Sequence, residues 1–315
     1  MELKLGDKLG RYQLLSRYCP SMPLVGDNSI KLPEVYMPNP RLAGLFVLLA
    51  INTHAQWLHY PTPGTPRTRD GSPNLAAKAP RASNGKPDLS GVWHAEYAPP
   101  GENERLFGDG LKNFVVPGDD PRTFSKYFLN ILADFKPEEA PLRPEAAALF
   151  RKHSQGGNRE SPSTRCAPQG IPRGELGNYL PFKIIQTPAV IAVLYEESNT
   201  FRQIYTDGRP LPVDPQPAWM GYSVGRWEGD TLVVDAAGFN DQGWLDAMGH
   251  PQSEDLRIRE RFHRRDFGHM DLELTIDDPK TYTRPFTVKA TEVLIPDSDV
   301  LEYVCTENEK DRAHL

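Results

Sequence analysis

From about residue 180 onward, apolar and polar positions alternate with a period of two, in short runs separated by turn residues. FKIIQT, VIAVLYE, FRQIYT, GYSVGRW, DTLVVDAAGF, LRIRERFHR, MDLELTID, PFTVKATEVL and LEYVCT each read as a strand, and ESN, TDGRP and EGD supply turn chemistry between them. Sequential short strands of this kind predict a mainly β protein, an antiparallel meander that closes into a barrel. The stretch VGRWEGDTLVVD shows the pattern in miniature. Val224 to Trp227 runs up, Glu228-Gly229-Asp230 turns, and Thr231 to Asp235 runs back, with Gly229 providing the positive φ of a tight hairpin. Glu228 and Asp230 are therefore expected to be solvated turn residues, not a catalytic pair.

Ahead of the strands the period lengthens. In DPRTFSKYFLNILADFKP, Asp120 is placed to cap a helix and Pro121 to occupy its first position. Phe124, Tyr127, Phe128, Ile131, Leu132 and Phe135 then recur at three and four residues as one apolar face, and Pro137 ends the run. A second helix is expected from Pro144 to about Ser154, stopping at Gly156-Gly157. These two short helices, within 120–156, belong with the strands to a single barrel domain over 91–315. Residues 56–90 are rich in proline, glycine, lysine and arginine, which predicts a disordered tether.

Residues 37–55 have the layout of a secretory signal peptide. Arg41 is the basic region, Leu42 to Ile51 the apolar stretch, and Ala55 the small residue at the cleavage position. The alternative is a buried helix or short anchor. Residues 1–36 then read as an extension from a misassigned upstream start, with Met37 the true beginning. Such a leader implies a periplasmic or secreted protein. Cys166 and Cys305 are the two cysteines beyond it, and in an oxidising compartment they are expected to form one bridge, two separate buried thiols being the other possibility.

Charge narrows the partners. With 36 Lys and Arg against 42 Asp and Glu, the chain has a formal net charge of -6, which disfavours nucleic acid. No apolar run reaches the roughly 18–20 residues of a bilayer span, so no stable membrane span is expected once the signal is cleaved.

Three resemblances add to this. Gly6 to Arg17, GDKLGRYQLLSR, resembles the opening of bacterial serine/threonine kinases, but the glycine-rich loop and every later kinase motif are missing. Gly91-Val92-Trp93 resembles the Gly-x-Trp opening of lipocalins and other calycin barrels. That likeness implies a tryptophan plugging one end of the barrel and stacked on a basic residue from a late strand. Over residues 86–315 the strings GKPDLSGVW, TRCAPQGIPR, FRQIYTDGRPLP and WMGYSVGRWEGDTLVVD resemble a family of uncharacterised exported bacterial proteins, a likeness that carries no activity with it.

Candidate chemistry gathers in the long connection Phe239 to Asp255, which holds Asn240, Asp241, Trp244, Asp246, His250, Ser253 and Glu254. His250, between Gly249 and Pro251, sits on a constrained backbone suited to acid–base work or to tying its own loop in place. In LRIRERF, Glu260 shares the apolar face with Leu256, Ile258 and Phe262, while Arg257, Arg259, Arg261 and His263 share the other. Glu260 is expected to be either a carboxyl with a raised pKa or the partner of an arginine such as Arg202 or Arg226. The catalytic candidates are thus His250, Glu260 and Glu254, and the ligand-binding candidates Arg202, Trp219, Tyr222, Trp244 and Asp241. No spacing suits a metal, and no motif calls for a cofactor. The sequence therefore predicts an exported barrel binding a small molecule in a chamber near the Phe239–Asp255 connection. The alternative is a cofactor-independent periplasmic lyase, isomerase or hydrolase with a His/Glu acid–base pair.

Overall fold

The computed structural model describes residues 60–113, 121–155, 160–178 and 180–305. The leader, the kinase-like segment, the signal-like stretch and Asp120 lie outside these residues. Nine strands close into one barrel: β1 (Gly91–Ala95), β2 (Phe182–Gln186), β3 (Val190–Tyr195), β4 (Thr200–Tyr205), β5 (Tyr222–Glu228), β6 (Thr231–Ala237), β7 (Arg257–Arg264), β8 (His269–Asp277) and β9 (Phe286–Leu294). The expected mainly β barrel is what forms, and the alternation explains it. Along β7 the even-numbered residues are buried and along β8 Met270, Leu272, Leu274 and Ile276 are, so each strand turns one apolar row inward. Among the described residues four short α-helices stand outside the sheet, with 3-10 turns between them: α1 (Glu102–Phe107), α2 (Lys126–Leu129), α3 (Pro144–Gln155) and α4 (Arg173–Leu176).

The strand order departs from the expected meander at one step. β4 and β5 are parallel, pairing Ile204 with Ser223 and Tyr205 with Val224, whereas every other neighbouring pair is antiparallel. Residues 206–221, with four prolines that cannot donate to a ladder, carry the chain back to the same end before β5 begins. Of the expected strand LEYVCT, the described residues Leu301–Cys305 form none. β9 already pairs with β1, so the barrel has no free edge to receive another.

One end of the barrel is sealed around Trp93. Its indole donates to the Leu89 carbonyl at 3.0 Å, and the Arg264 guanidinium lies 4.9 Å from its ring centre. This late-strand cation over the tryptophan is the arrangement implied by the Gly-x-Trp likeness. Gly91 has φ 146°, a backbone conformation that L side chains rarely adopt, and a Cβ there would also press on the end of the Leu294 side chain. Burial pulls the pKa of Arg264 down to about 10, and its donors are taken by the carbonyls of Asp88, Ser90, Asp266 and Phe267.

Residues 60–90, expected to be disordered, are instead packed across this end. They contain a repeat, PRTRDGSPNL (66–75) and PRASNGKPDL (80–89). Each copy folds into the same clip. Arg67 donates to the Gly71 carbonyl and to Asp297, while Arg81 donates to the Gly85 carbonyl and to Asp230 at the tip of the β5–β6 hairpin. Composition misled here because the arginines and prolines are not solvating a coil; they close turns and pair with aspartates on the barrel.

The opposite end is capped by residues 99–180 and 239–255. The expected helix after Pro121 breaks into a 3-10 turn, Pro121–Thr123, and the single turn α2. Its apolar face is nonetheless buried as the spacing required. The helix stops because its hydrogen-bonding groups are claimed elsewhere. Asp246 takes the Ile131 N–H, Asn130 takes that of Leu132, and the N–H groups of Ala247 and Met248 bond to the carbonyls of Phe128 and Leu129. The second helix appears as expected, as α3.

Candidate functional site

Beneath this cap the barrel interior holds a charged cluster. Alternation along β4 turns Arg202 inward and Phe201 outward, and alternation along β7 brings Glu260 to the same interior. Arg202 donates to Glu260 through both terminal nitrogens, the first at 2.9 Å, to Glu175 of α4 at 2.8 Å, and to Ser223 of β5 at 2.9 Å. Tyr195 of β3 donates to the same Glu175 oxygen at 2.7 Å. All five residues are buried.

The protonation pattern follows from solvent exclusion. Burial, with the Glu260 charge adding to it, holds the Glu175 carboxyl well above the ordinary range. Burial also opposes the charge on Arg202, but Glu260 and Glu175 outweigh it and keep the guanidinium protonated. Glu292 of β9 lies in the same interior. Burial, and then the charge of Glu175, raises it well above the usual carboxyl range. Neither of its oxygens has a hydrogen-bond partner, and nor does the second oxygen of Glu175. Glu175 and Glu292 are thus both held toward their protonated forms, which limits the negative charge gathered around Arg202.

This interior is not a chamber. The void beside Glu175, walled by Leu89, Phe182, Ile191, Val193 and Phe262, measures about 10 Å³, enough for one water molecule at most. The Phe239–Asp255 connection is likewise filled, not open. His250 is buried, stacked on Phe150 at 4.0 Å, with its Nδ1 2.5 Å from Asp246. The Asp246 carboxylate also accepts the N–H groups of Ile131, Gly249 and His250. Trp244 is stacked on His153 at 4.3 Å. His250 thus ties its own loop to α3, while Ala247 and Met248 tie it to α2, and no hydrogen bond or shared partner among the described residues links His250 to Glu260.

The remaining candidates are scattered. Glu254 and Asp241 are exposed, Tyr222 is half-exposed beside Gly238, and Trp219 packs against the core near Gly170. Arg202 and Glu260 are brought together, and Trp244 and His250 lie side by side in the filled loop, stacked on His153 and Phe150 of α3; no contact joins Glu254, Asp241, Tyr222 or Trp219 to either pair. Glu175, Tyr195 and Glu292 were missed. Glu292 was legible by the argument that found Glu260, since it shares parity with Phe286, Val288 and Leu294. Glu175 sits on a four-residue turn with no period to mark it.

The described surface does carry a recess of about 320 Å³ on the flank of the capped end. Its walls are the β3–β4 connection, with Leu194, Asn199 and Phe201, and the chain after β9, with Val300, Leu301 and Glu302. Phe201 is 63% exposed there, a large aromatic face held in water. The second wall is a strip of chain that climbs the outside of the barrel. Asp299 pairs with Lys183 at 2.8 Å, the Leu301 N–H bonds to Glu196, and Tyr303 exchanges two bonds with Asn199. The strip ends at the Cys166–Cys305 disulfide, with Cα atoms 5.6 Å apart, so the expected bridge is formed. Tyr195 lines the recess and also reaches Glu175, so the recess and the buried cluster share a wall.

No protein-family profile matches the chain, and no curated protein or solved structure matches it either. Among the described residues no helix is long and apolar enough to cross a membrane, and no group of His, Cys, Asp and Glu is arranged to hold a metal ion.

Proposed function

We propose that the protein is an exported binding protein for a small molecule, and that its ligand lies in the flank recess and not inside the barrel. The observation that carries this reading is the contrast in space: about 320 Å³ at the recess against about 10 Å³ in the void beside Glu175 inside the barrel. The larger figure falls at the lower end of small-molecule sites, which are mostly apolar with a few polar groups at the rim. Leu194, Phe201, Val300 and Leu301 supply the apolar surface, and Asn199 and Glu302 the polar rim. The ligand class is therefore a small, largely apolar or aromatic molecule with a hydrogen-bonding group. The layout of residues 37–55, the disulfide and the likeness to exported bacterial proteins support export.

Native mass spectrometry of the protein purified from the envelope fraction of its own host tests this. A bound small molecule is expected, and Phe201→Ser is expected to lose it. Repeatedly empty spectra, or a ligand retained by Phe201→Ser, would refute the assignment.

A further inference from the structure

We infer that Cys166–Cys305 is a thiol-exchange site, and that its reduction releases one wall of the recess. The inference rests on the recess being the ligand site and supplies its regulation. Past Asp297 the described chain makes no strand ladder. Residues 299–305 are held by one surface ion pair, three hydrogen bonds to Glu196 and Asn199, and the disulfide at their end. Both cysteines are part-exposed, within reach of a dissolved thiol.

The backbone gives an independent indication. Among the described residues four that are not glycine have positive φ: Cys166 at 57°, Ser198 at 57°, Asn199 at 45° and Asp297 at 59°. L-residues adopt this conformation rarely, and it is costly enough to persist only where surrounding contacts enforce it. Cys166 and Asn199 are two of the points to which the strip is fastened, Ser198 hydrogen-bonds to Ala167 beside the first of them, and Asp297 begins the strip. Asn and Asp adopt this conformation readily, so the strain falls on Cys166 and Ser198, at and beside the covalent fastening that holds the far end of the described strip.

The exchange partner is a dithiol. One of its thiolates attacks a sulfur of the bridge, forming a mixed disulfide and expelling the other cysteine as a thiolate that takes up a proton. Its second thiol then attacks the mixed disulfide. Cys166 and Cys305 are left as thiols, and the dithiol is oxidised to its own disulfide. With the bridge gone, Val300 and Leu301 no longer face Phe201 at a fixed distance, and the recess loses its apolar closure.

The test uses the oxidised protein, the same protein after dithiothreitol, and the Cys166→Ser/Cys305→Ser variant. Limited chymotrypsin digestion read by mass spectrometry is expected to cut after Leu301 or Tyr303 only when the bridge is absent. Titration with N-phenyl-1-naphthylamine, an apolar fluorescent amine, is expected to show at least tenfold weaker binding in the reduced protein, restored on reoxidation. The far-UV signal of the barrel should be unchanged throughout. A strip that stays protected after reduction overturns the exchange site, whatever the dye does. A strip that is freed while dye affinity is unchanged overturns the control of the recess. Failure of the dye to bind oxidised protein, or binding unaffected by Phe201→Ala, counts instead against the recess as the ligand site, and the digestion still decides the exchange.

Discussion

Arg202 on β4 and Glu260 on β7 form a two-point ion pair inside the barrel, from strands separated by two others. Both are shut off from water, so each is the other's compensation for lost hydration. Removing one leaves the other charged and unpaired. Arg202→Met is expected to destabilise the fold by about 3–5 kcal/mol in urea denaturation. The double variant Arg202→Met/Glu260→Leu should recover most of that loss. Equal losses for the single and double variants would show that the pair is not coupled in this way.

Glu292 makes the opposite case, because its carboxyl has no partner to lose. Its folded pKa is raised, so the folded chain keeps a proton that the unfolded chain gives up. Stability from this site is fully present below the ordinary carboxyl pKa and is lost as pH climbs through the raised value. Thermal melts of Glu292→Gln and the wild type should converge at acid pH, and the variant should melt higher at alkaline pH. Glu292→Met, which also removes the orphan polar atoms, should add about 1–3 kcal/mol near neutrality. A wild type that melts higher than both variants at alkaline pH would contradict the sign.

Asp246 carries more of the cap than His250 does. Its carboxylate gathers three backbone N–H groups and the His250 ring, so Asp246→Ala strands several buried donors at once. A loss of at least about 3 kcal/mol is expected, with new proteolytic cleavage between residues 239 and 255. His250→Leu gives up the ring stack but keeps apolar contact with Phe150, strands no buried backbone donor and should cost less. The reverse order of the two variants would return His250 to consideration as more than a fastening.

The clips over the other end divide into charge and packing. Arg81 and Asp230 are each about half exposed, so Arg81→Ala should lower stability only slightly, and less still in high salt. Leu75 instead lies against Gly268, and its carbonyl accepts that glycine's N–H. Leu75→Asp should therefore lower the melting temperature clearly more than Arg81→Ala does, measured side by side by calorimetry.

What the sequence disclosed was whatever a local period could encode. Strands β2 to β9, the hairpin at Gly229, the inward turn of Arg202 and the anomaly at Glu260 all follow from alternation. The break after α2 could not be read, because the groups that end it come from Asp246 and Ala247, more than a hundred residues later. His250 drew attention as a histidine on a stiff backbone, and nothing local announced that Phe150 and Asp246 would enclose it. The tether was misjudged from composition when its repeat was in plain view. The recess is assembled from β3, β4 and the terminal strip, a junction made by closure and a disulfide that no single window of sequence contains.

The lone parallel step between β4 and β5 has a consequence in parity. A ring of nine cannot alternate up and down all the way round, and one repeated direction is what lets the circuit close. It also decides where the polypeptide exits. β9 runs counter to β1, so the chain departs from the rim at which it entered, and Asp297 emerges there beside Thr62 and Arg67. The chain just before β1 and the chain just after β9 are thus brought to one rim by a count of strands, before any side chain is chosen to tie them.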